Sequence, residues 1–115
     1  MDIAVTGADG FIGSNLVDRL AEQGHNVHAY VYALPEDPTR VASLAKATHV
    51  QIADLTRDRV NFTGVDHVYH LAADMGGVGY FHIHDFWPYL QNSRMTFNVL
   101  EAAIQADVDR MFLAS

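Results

Sequence analysis

Apolar residues recur along the chain in two alternating patterns. A short apolar run at 3–6 is typical of a buried parallel strand. Segments with apolar and β-forming residues at 27–32, 50–53, 65–71 and 111–114 predict four more strands. Between these runs, apolar residues at helical spacing predict helices from Phe11 to a capping Gly24, around 41–47, and over 89–106. Strands that alternate with helices predict an α/β fold with a doubly wound parallel sheet, and we expect the strand order 3-2-1-4-5.

The long segment 89–106 carries apolar residues on most of its faces and contains neither Gly nor Pro. We therefore expect a helix that is buried on more than one side. No repeat or linker divides the chain, so residues 1–115 should form one domain. Because the sequence stops within an apolar strand, we expect the N-terminal portion of a longer protein, with the sheet truncated after its fifth strand.

The charge distribution narrows the classes of partner. The chain has 14 acidic and 7 basic side chains, a formal net charge of −7 and no cysteine. Lys46 is the only lysine and the arginines are scattered along the chain. No basic patch therefore offsets the negative net charge, which repels nucleic acid and anionic lipid. The sequence contains neither a signal peptide nor an apolar run of membrane-spanning length. We expect a cytoplasmic protein that binds neither nucleic acid nor membranes.

A glycine-rich loop joins the first predicted strand to the first predicted helix. Gly7 allows a tight turn, Gly10 lets the backbone approach a pyrophosphate, and Gly13 lets the helix pack closely against the sheet. The free N–H groups at the start of the helix favour an anion at the same point. The loop therefore predicts a dinucleotide phosphate site, and the alternative is an ordinary glycine-rich turn without a ligand.

Four motifs resemble those of the extended short-chain dehydrogenase/reductase family, in particular its nucleotide-sugar epimerases and dehydratases. They are Thr-Gly-x-x-Gly-Phe-Ile-Gly at 6–13, Asp-Leu at 54–55, His-Leu-Ala-Ala at 70–73, and a helix with Asn92, Thr96 and Asn98. The resemblance covers nearly the whole chain and implies the Rossmann form of the predicted sheet. It also implies a bound NAD or NADP and a nucleotide-sugar substrate.

The resemblance implies roles for residues near the phosphates and the adenine. The cofactor loop would contribute Gly7, Gly10, Phe11, Ile12 and Gly13. Asp54 would accept a hydrogen bond from the adenine amino group, and Leu55 would pack on the ring. From the residues alone, Asp54 could equally cap the next helix.

Further matching residues would lie near the nicotinamide. The resemblance implies that Leu71, Ala72 and Ala73 line the nicotinamide ribose and that Asn92 supports the active site. The other two helix residues of the motif would hold the helix to neighbouring loops. The alternative for the asparagines is that they are ordinary polar helix residues.

The segment Ala73-Asp74-Met75-Gly76-Gly77-Val78-Gly79-Tyr80 follows the fourth predicted strand, where its glycines would let the backbone approach a substrate. This loop resembles that of GDP-mannose 3,5-epimerases, and the resemblance implies that Gly76 contacts the sugar nucleotide. The alternative is a surface loop that binds no ligand. Two histidines just beyond it, His82 and His84, lie among aromatic residues and favour packing over a metal site, so we expect no metal.

One departure from the family concerns the cofactor. Dinucleotide folds usually place an acidic residue about 20 residues past the glycine loop to bind the ribose hydroxyls, but Val31 occupies that position here. No arginine stands beside it to receive a 2′-phosphate. Because Glu36 and Asp37 are the nearest charges, we favour NAD and leave NADP open.

A second departure concerns catalysis. The family reaction needs a tyrosine with a lysine four residues later, and no tyrosine of this chain has one. The family's active Ser or Thr would lie one place beyond Ser115. We therefore assign no catalytic residue, and we expect His70 to be buried structure rather than a base.

These observations lead to two functional hypotheses. In the first, the chain is the cofactor-binding portion of a nucleotide-sugar epimerase or dehydratase that acts by transient hydride transfer from a sugar hydroxyl. In the second, it is a non-catalytic dinucleotide-binding sensor or regulatory module. The apolar surface of the helix 89–106 and the resemblance both favour a homodimer formed through that helix.

Overall fold

A five-stranded, fully parallel sheet organises the molecule, which we describe from a computed structural model covering residues 1–73 and 86–114. The strands are β1 (Asp2–Thr6), β2 (Asn26–Val31), β3 (His49–Ile52), β4 (His67–His70) and β5 (Arg110–Leu113). The helices are α1 (Phe11–Glu22), α2 (Pro38–Ala45) and α3 (Trp87–Gln105). The strand order is β3-β2-β1-β4-β5, which confirms the predicted topology and the doubly wound α/β class.

The alternation of side chains along the central strands creates one apolar core on each face of the sheet. On one face, Ile3 and Val5 of β1 pack with Val17 and Leu20 of α1. On the other face, Ala4 packs in a cluster that includes Phe62, Val68 and Val99. Because both faces are covered, residues 3–5 of β1 are all apolar, as expected for a buried parallel strand.

The two shorter helices follow local capping signals. After α1, Gly24 adopts a positive φ of 86°, the left-handed conformation that favours glycine after a helix end. The side chain of Asp37 caps α2 by accepting a hydrogen bond from the Thr39 amide at 2.8 Å. Pro38 then occupies the first turn. This helix therefore starts before the predicted segment 41–47, because the cap and the proline favour an earlier start.

Helix α3 differs from the prediction in its burial. Only Val99, Ala102 and Ala103 are buried among its residues, whereas Phe97 and Ile104 are 69% and 71% exposed. The expectation that this helix is buried on more than one side is therefore wrong for the chain by itself, because one face packs on the sheet and another faces solvent. Among residues 1–73 and 86–114, none of the helices has the length and apolar character that crossing a bilayer requires.

Candidate functional site

The predicted cofactor residues lie at one edge of the sheet. The loop 7–13 follows β1, residues 54–55 come shortly after β3, and residues 71–73 follow β4. Since all strands run in the same direction, their carboxyl ends meet at the edge where open α/β sheets bind ligands. The structure thus brings three of the four motifs together at the position that the topology favours for a ligand.

Two positions of the loop must be glycine, because backbone atoms of neighbouring segments lie too close for a Cβ atom. Gly7 has a φ of 64°, and a Cβ atom there would lie 2.7 Å from the amide nitrogen of Ala72. A Cβ atom on Gly13 would lie 2.0 Å from the carbonyl oxygen of Gly7. Both distances are shorter than any carbon side chain tolerates. The turn after β1 therefore packs directly on the segment after β4 and on the first turn of α1.

The start of α1 presents backbone N–H groups that have no hydrogen-bond partner among the described residues. The first helical hydrogen bond runs from the Ser14 amide to the Gly10 carbonyl at 2.9 Å, so the amides of Phe11, Ile12 and Gly13 precede it. Gly10 is the N-cap and provides no side chain to satisfy them. The side chains of Phe11 and Ile12 are 75% and 66% exposed. Oriented N–H groups at a helix start attract phosphate, which matches the predicted role of the loop.

A buried polar network ties the loop to β4. The Oγ1 of Thr6 accepts hydrogen bonds from the amides of Leu71 and Ala72, both at 3.1 Å. The same oxygen lies 2.7 Å from Nδ1 of His70, and both side chains are buried. The opposite ring nitrogen of His70 lies 3.3 Å from Oγ1 of Thr96 on α3. One threonine oxygen therefore orders the backbone that is predicted to line the nicotinamide ribose.

The network defines the tautomer of His70. Both lone pairs of the Thr6 oxygen accept backbone N–H groups, so its single proton is donated to Nδ1 of His70. The proton of the neutral ring then sits on Nε2, which donates to Thr96. Burial also lowers the pKa of His70 and favours this neutral form. His70 is thus a buried structural residue, as expected from the sequence.

Asp54 starts a turn rather than a helix. Its Oδ1 accepts hydrogen bonds from the amide of Thr56 at 3.0 Å and from the hydroxyl of Thr56 at 2.6 Å. These two bonds hold the pKa of Asp54 below its usual value. Its Oδ2 lies 3.5 Å from Nε of Arg57. The suggested helix-capping role is therefore wrong, since the residues after Asp54 form a turn, and the adenine role remains a prediction.

The side chain of Leu55 is buried in the core cluster on the α3 face of the sheet, with an exposed fraction of 5%. Packing of the Leu55 side chain on an adenine ring also remains a prediction, and little of the surface of this side chain is accessible. Asn92 lies half-exposed on α3 and interacts with its surroundings. Gly76, predicted to contact the substrate, lies outside the described residues, as do His82 and His84.

The other two polar residues of the α3 motif connect the helix to the site. Asn98 donates from Nδ2 to the carbonyl oxygens of Leu55 and Asp58 at 2.9 and 2.6 Å. Thr96 contacts His70, as described above. These contacts confirm that Thr96 and Asn98 hold the helix to neighbouring segments, and they are not ordinary solvent-facing polar residues.

The end of β2 is apolar in the structure as well as in the sequence. Val31 is the last residue of the strand and is 2% exposed, and exposed Tyr32 follows it. Asp37 uses its carboxylate to cap α2, which occupies one of the two acids suggested for the ribose. No cluster of three potential metal-ligating side chains occurs among residues 1–73 and 86–114.

Two features of the site were not predicted from the sequence. One is the role of the Thr6 hydroxyl, and the other is the carboxylate of Asp58, which accepts a hydrogen bond from the Asp54 amide at 2.7 Å. A hydroxyl at the buried end of a strand must find partners, and this requirement was a usable signal for Thr6. No comparable signal existed for Asp58, because its bond depends on the turn conformation.

Comparisons with known proteins agree with this geometry. The chain matches the profile of the NAD dependent epimerase/dehydratase family over residues 3–115. It is 37% identical over 113 residues to GDP-mannose 3,5-epimerase 1 of Oryza sativa subsp. japonica, covering 98% of this chain and 30% of that protein.

Two solved structures are similar over the whole chain. A UDP-galactose 4-epimerase superposes with a TM-score of 0.75 at 34% identity, and this chain covers 38% of it. MoeE5, solved in complex with UDP-glucose and NAD, superposes with a TM-score of 0.77 at 32% identity, and this chain covers 36% of it. The chain thus spans about a third of the length of these relatives. From its sequence match and its fold, the chain belongs to the NAD dependent epimerase/dehydratase family.

Proposed function

We propose that this chain is the NAD-binding portion of a nucleotide-sugar epimerase or dehydratase. One observation carries the proposal. A glycine loop with no room for a Cβ atom at Gly7 or Gly13 lies at the carboxyl edge of a parallel sheet, where it presents helix amides that have no partner among residues 1–73 and 86–114. The loop binds the pyrophosphate through these amides. We also propose that the protein acts in the cytoplasm.

Each part of the site has a separate task in this proposal. Gly10 lets the pyrophosphate approach, while Asp54 accepts the adenine amino group. Ala72 and Ala73 line the nicotinamide ribose with backbone that Thr6 holds in place. Bound NAD supplies reversible hydride transfer to and from the sugar. The sugar nucleotide lies beyond β4, on the side of Gly76.

The glycine loop offers a direct test by calorimetric titration with NAD and NADH. A Cβ atom on Gly10 would lie 3.3 Å from the Gly7 carbonyl, so Gly10→Val needs only a small local adjustment while its side chain fills the approach of the phosphates. We expect this variant to keep its fold and to lose dinucleotide binding by about 100-fold or more, since several charge-assisted hydrogen bonds are broken.

Gly24→Asn is a matched control. Gly24 lies after the far end of α1, a Cβ atom there meets nothing within 4 Å, and asparagine tolerates its positive φ. This variant should bind NAD as the unmodified chain does. Unchanged affinity in Gly10→Val would show that the loop is not the site.

A non-catalytic dinucleotide-binding module is the second candidate. A Tyr-x-x-x-Lys motif elsewhere in the intact protein would favour the enzyme over this candidate. Both candidates require the same cofactor site and differ only in whether the protein turns over a nucleotide sugar.

A further inference from the structure

Asn98 makes an unusual pair of contacts from the middle of α3. Its amide nitrogen donates to two backbone carbonyls, those of Leu55 and Asp58, at 2.9 and 2.6 Å. Carbonyl oxygens only accept hydrogen bonds, so the nitrogen and not the oxygen of the amide must face them. The side chain therefore grips both ends of the short segment 55–58.

The segment gripped by Asn98 carries the predicted adenine acceptor. Within it, the Asp58 carboxylate accepts the Asp54 amide at 2.7 Å, and the Asp58 amide donates back to the Asp54 carbonyl at 2.7 Å. These two bonds close the turn on itself, and the two hydrogen bonds from Asn98 attach the turn to α3. The neighbouring Val99 belongs to the same buried cluster as Leu55, which strengthens the attachment of the turn to α3.

The turn leaves one carboxylate oxygen of Asp54 available. Both bonds from Thr56 end on Oδ1, whereas Oδ2 has a 3.5 Å contact with Arg57, whose side chain is 78% exposed. An exposed arginine moves aside at little cost. The adenine amino group would therefore be received by Oδ2.

We propose that Asn98 is a positioning residue of the adenine subsite, which aims Oδ2 of Asp54 at the adenine amino group by holding the turn 54–58 on α3. This inference rests on the proposed function, because it requires that the chain binds an adenine dinucleotide. Asn98 itself does not touch the cofactor. Its effect is therefore specific to the group that Asp54 recognises.

The experiment compares NAD with its hypoxanthine analogue, in which an oxygen replaces the adenine amino group. The unmodified protein should bind NAD about tenfold more tightly than the analogue, the usual effect of one hydrogen bond to a charged group. In Asn98→Ala the turn loses its support, so NAD binding should weaken while analogue binding stays the same. The preference should then fall to within about twofold.

Two further variants make the result decisive. Asn98→Ser keeps one shorter donor, perturbs the fold less than alanine, and should give an intermediate preference. Gln105→Ala removes an exposed polar pair with Glu101 on the same helix and should leave the preference unchanged. Thermal unfolding of each variant shows whether the protein remains folded at the titration temperature.

Equal losses for NAD and the analogue in both Asn98 variants would show a merely structural role and overturn the inference while the proposed function stands. An unchanged preference in both variants would also overturn it. If the unmodified protein binds neither dinucleotide, the proposed function fails, and this inference fails with it.

Discussion

At the scale of single residues, the site depends on glycines that leave no room for a Cβ atom and on a hydroxyl group whose hydrogen-bonding capacity is fully used. Gly7 and Gly13 matter because a Cβ atom at either position would collide with backbone. Thr6 matters because its one oxygen bonds two amides and a histidine ring. Such positions tolerate little change, since removing one partner leaves a buried polar group unsatisfied.

The buried, neutral His70 predicts a stability that falls in acid. Its pKa in the folded protein lies below the ordinary value of 6.5, so the unfolded chain binds more protons once the pH falls below that value. The contribution is complete above pH 6.5 and is lost as the pH falls through the folded pKa. The loss is at most about 1.4 kcal/mol per pH unit.

Urea unfolding between about pH 7.5 and about pH 5.5 tests this effect. His70→Gln retains a donor and an acceptor but does not titrate, so its stability should fall less over this range than that of the unmodified chain. The difference between the two proteins isolates His70 from His28 and His67, which pair with carboxylates at 3.0 and 3.6 Å. Identical pH profiles would contradict the prediction.

At the scale of elements, α3 has two distinct faces. One face packs Val99 and Ala102 on the sheet. On the same side, Thr96 contacts His70 and Asn98 donates to the backbone of the turn after β3. The other presents Phe97 and Ile104 to solvent. Exposed apolar side chains grouped on one helix are typical of a protein interface.

We predict that the protein forms a homodimer through the exposed face of α3, as a two-fold axis would pair this face with its copy. Sedimentation at tens of micromolar should show a dimer, and Ile104→Glu should shift it to monomer, because a charge would be buried in the interface. Val41→Glu, at a 46% exposed position on α2, is the control and should remain dimeric. A monomer in the unmodified protein would refute the prediction.

At the scale of the whole molecule, the chain carries the predicted cofactor loop but no tyrosine–lysine pair. It carries every strand end that the proposed cofactor site needs, yet none of its five tyrosines is followed by lysine at the fourth position. In the family that the motifs resemble, that pair is expected to transfer the proton. We therefore expect binding without turnover in this chain.

We predict that the 115-residue chain binds NAD but does not epimerise nucleotide sugars. The assay incubates the chain with NAD and with GDP- and UDP-sugars and follows both the reduced nicotinamide absorbance and the sugar products. No product should form, since the chain lacks the tyrosine–lysine pair that the resembled family uses for proton transfer. Measurable epimerisation would show that the chain has a catalytic group that its motifs do not reveal.

The sequence by itself determined the class and topology of the fold. Apolar runs separated by helical spacing are local signals, and parallel strands with short connections admit few arrangements, so the strand order could be predicted. The glycine loop was equally predictable, because its residues and its place between β1 and α1 follow from local sequence. Element ends shifted by a few residues where caps such as Asp37 decided them.

Only the tertiary structure decided how distant residues share the site. Thr6 and His70 are separated by 64 positions and Asn98 and Leu55 by 43, and no local pattern encodes such pairs. The burial of α3 was wrongly predicted for a related reason. Composition shows how much of a helix is apolar, but only the packed sheet shows which part of that surface is covered.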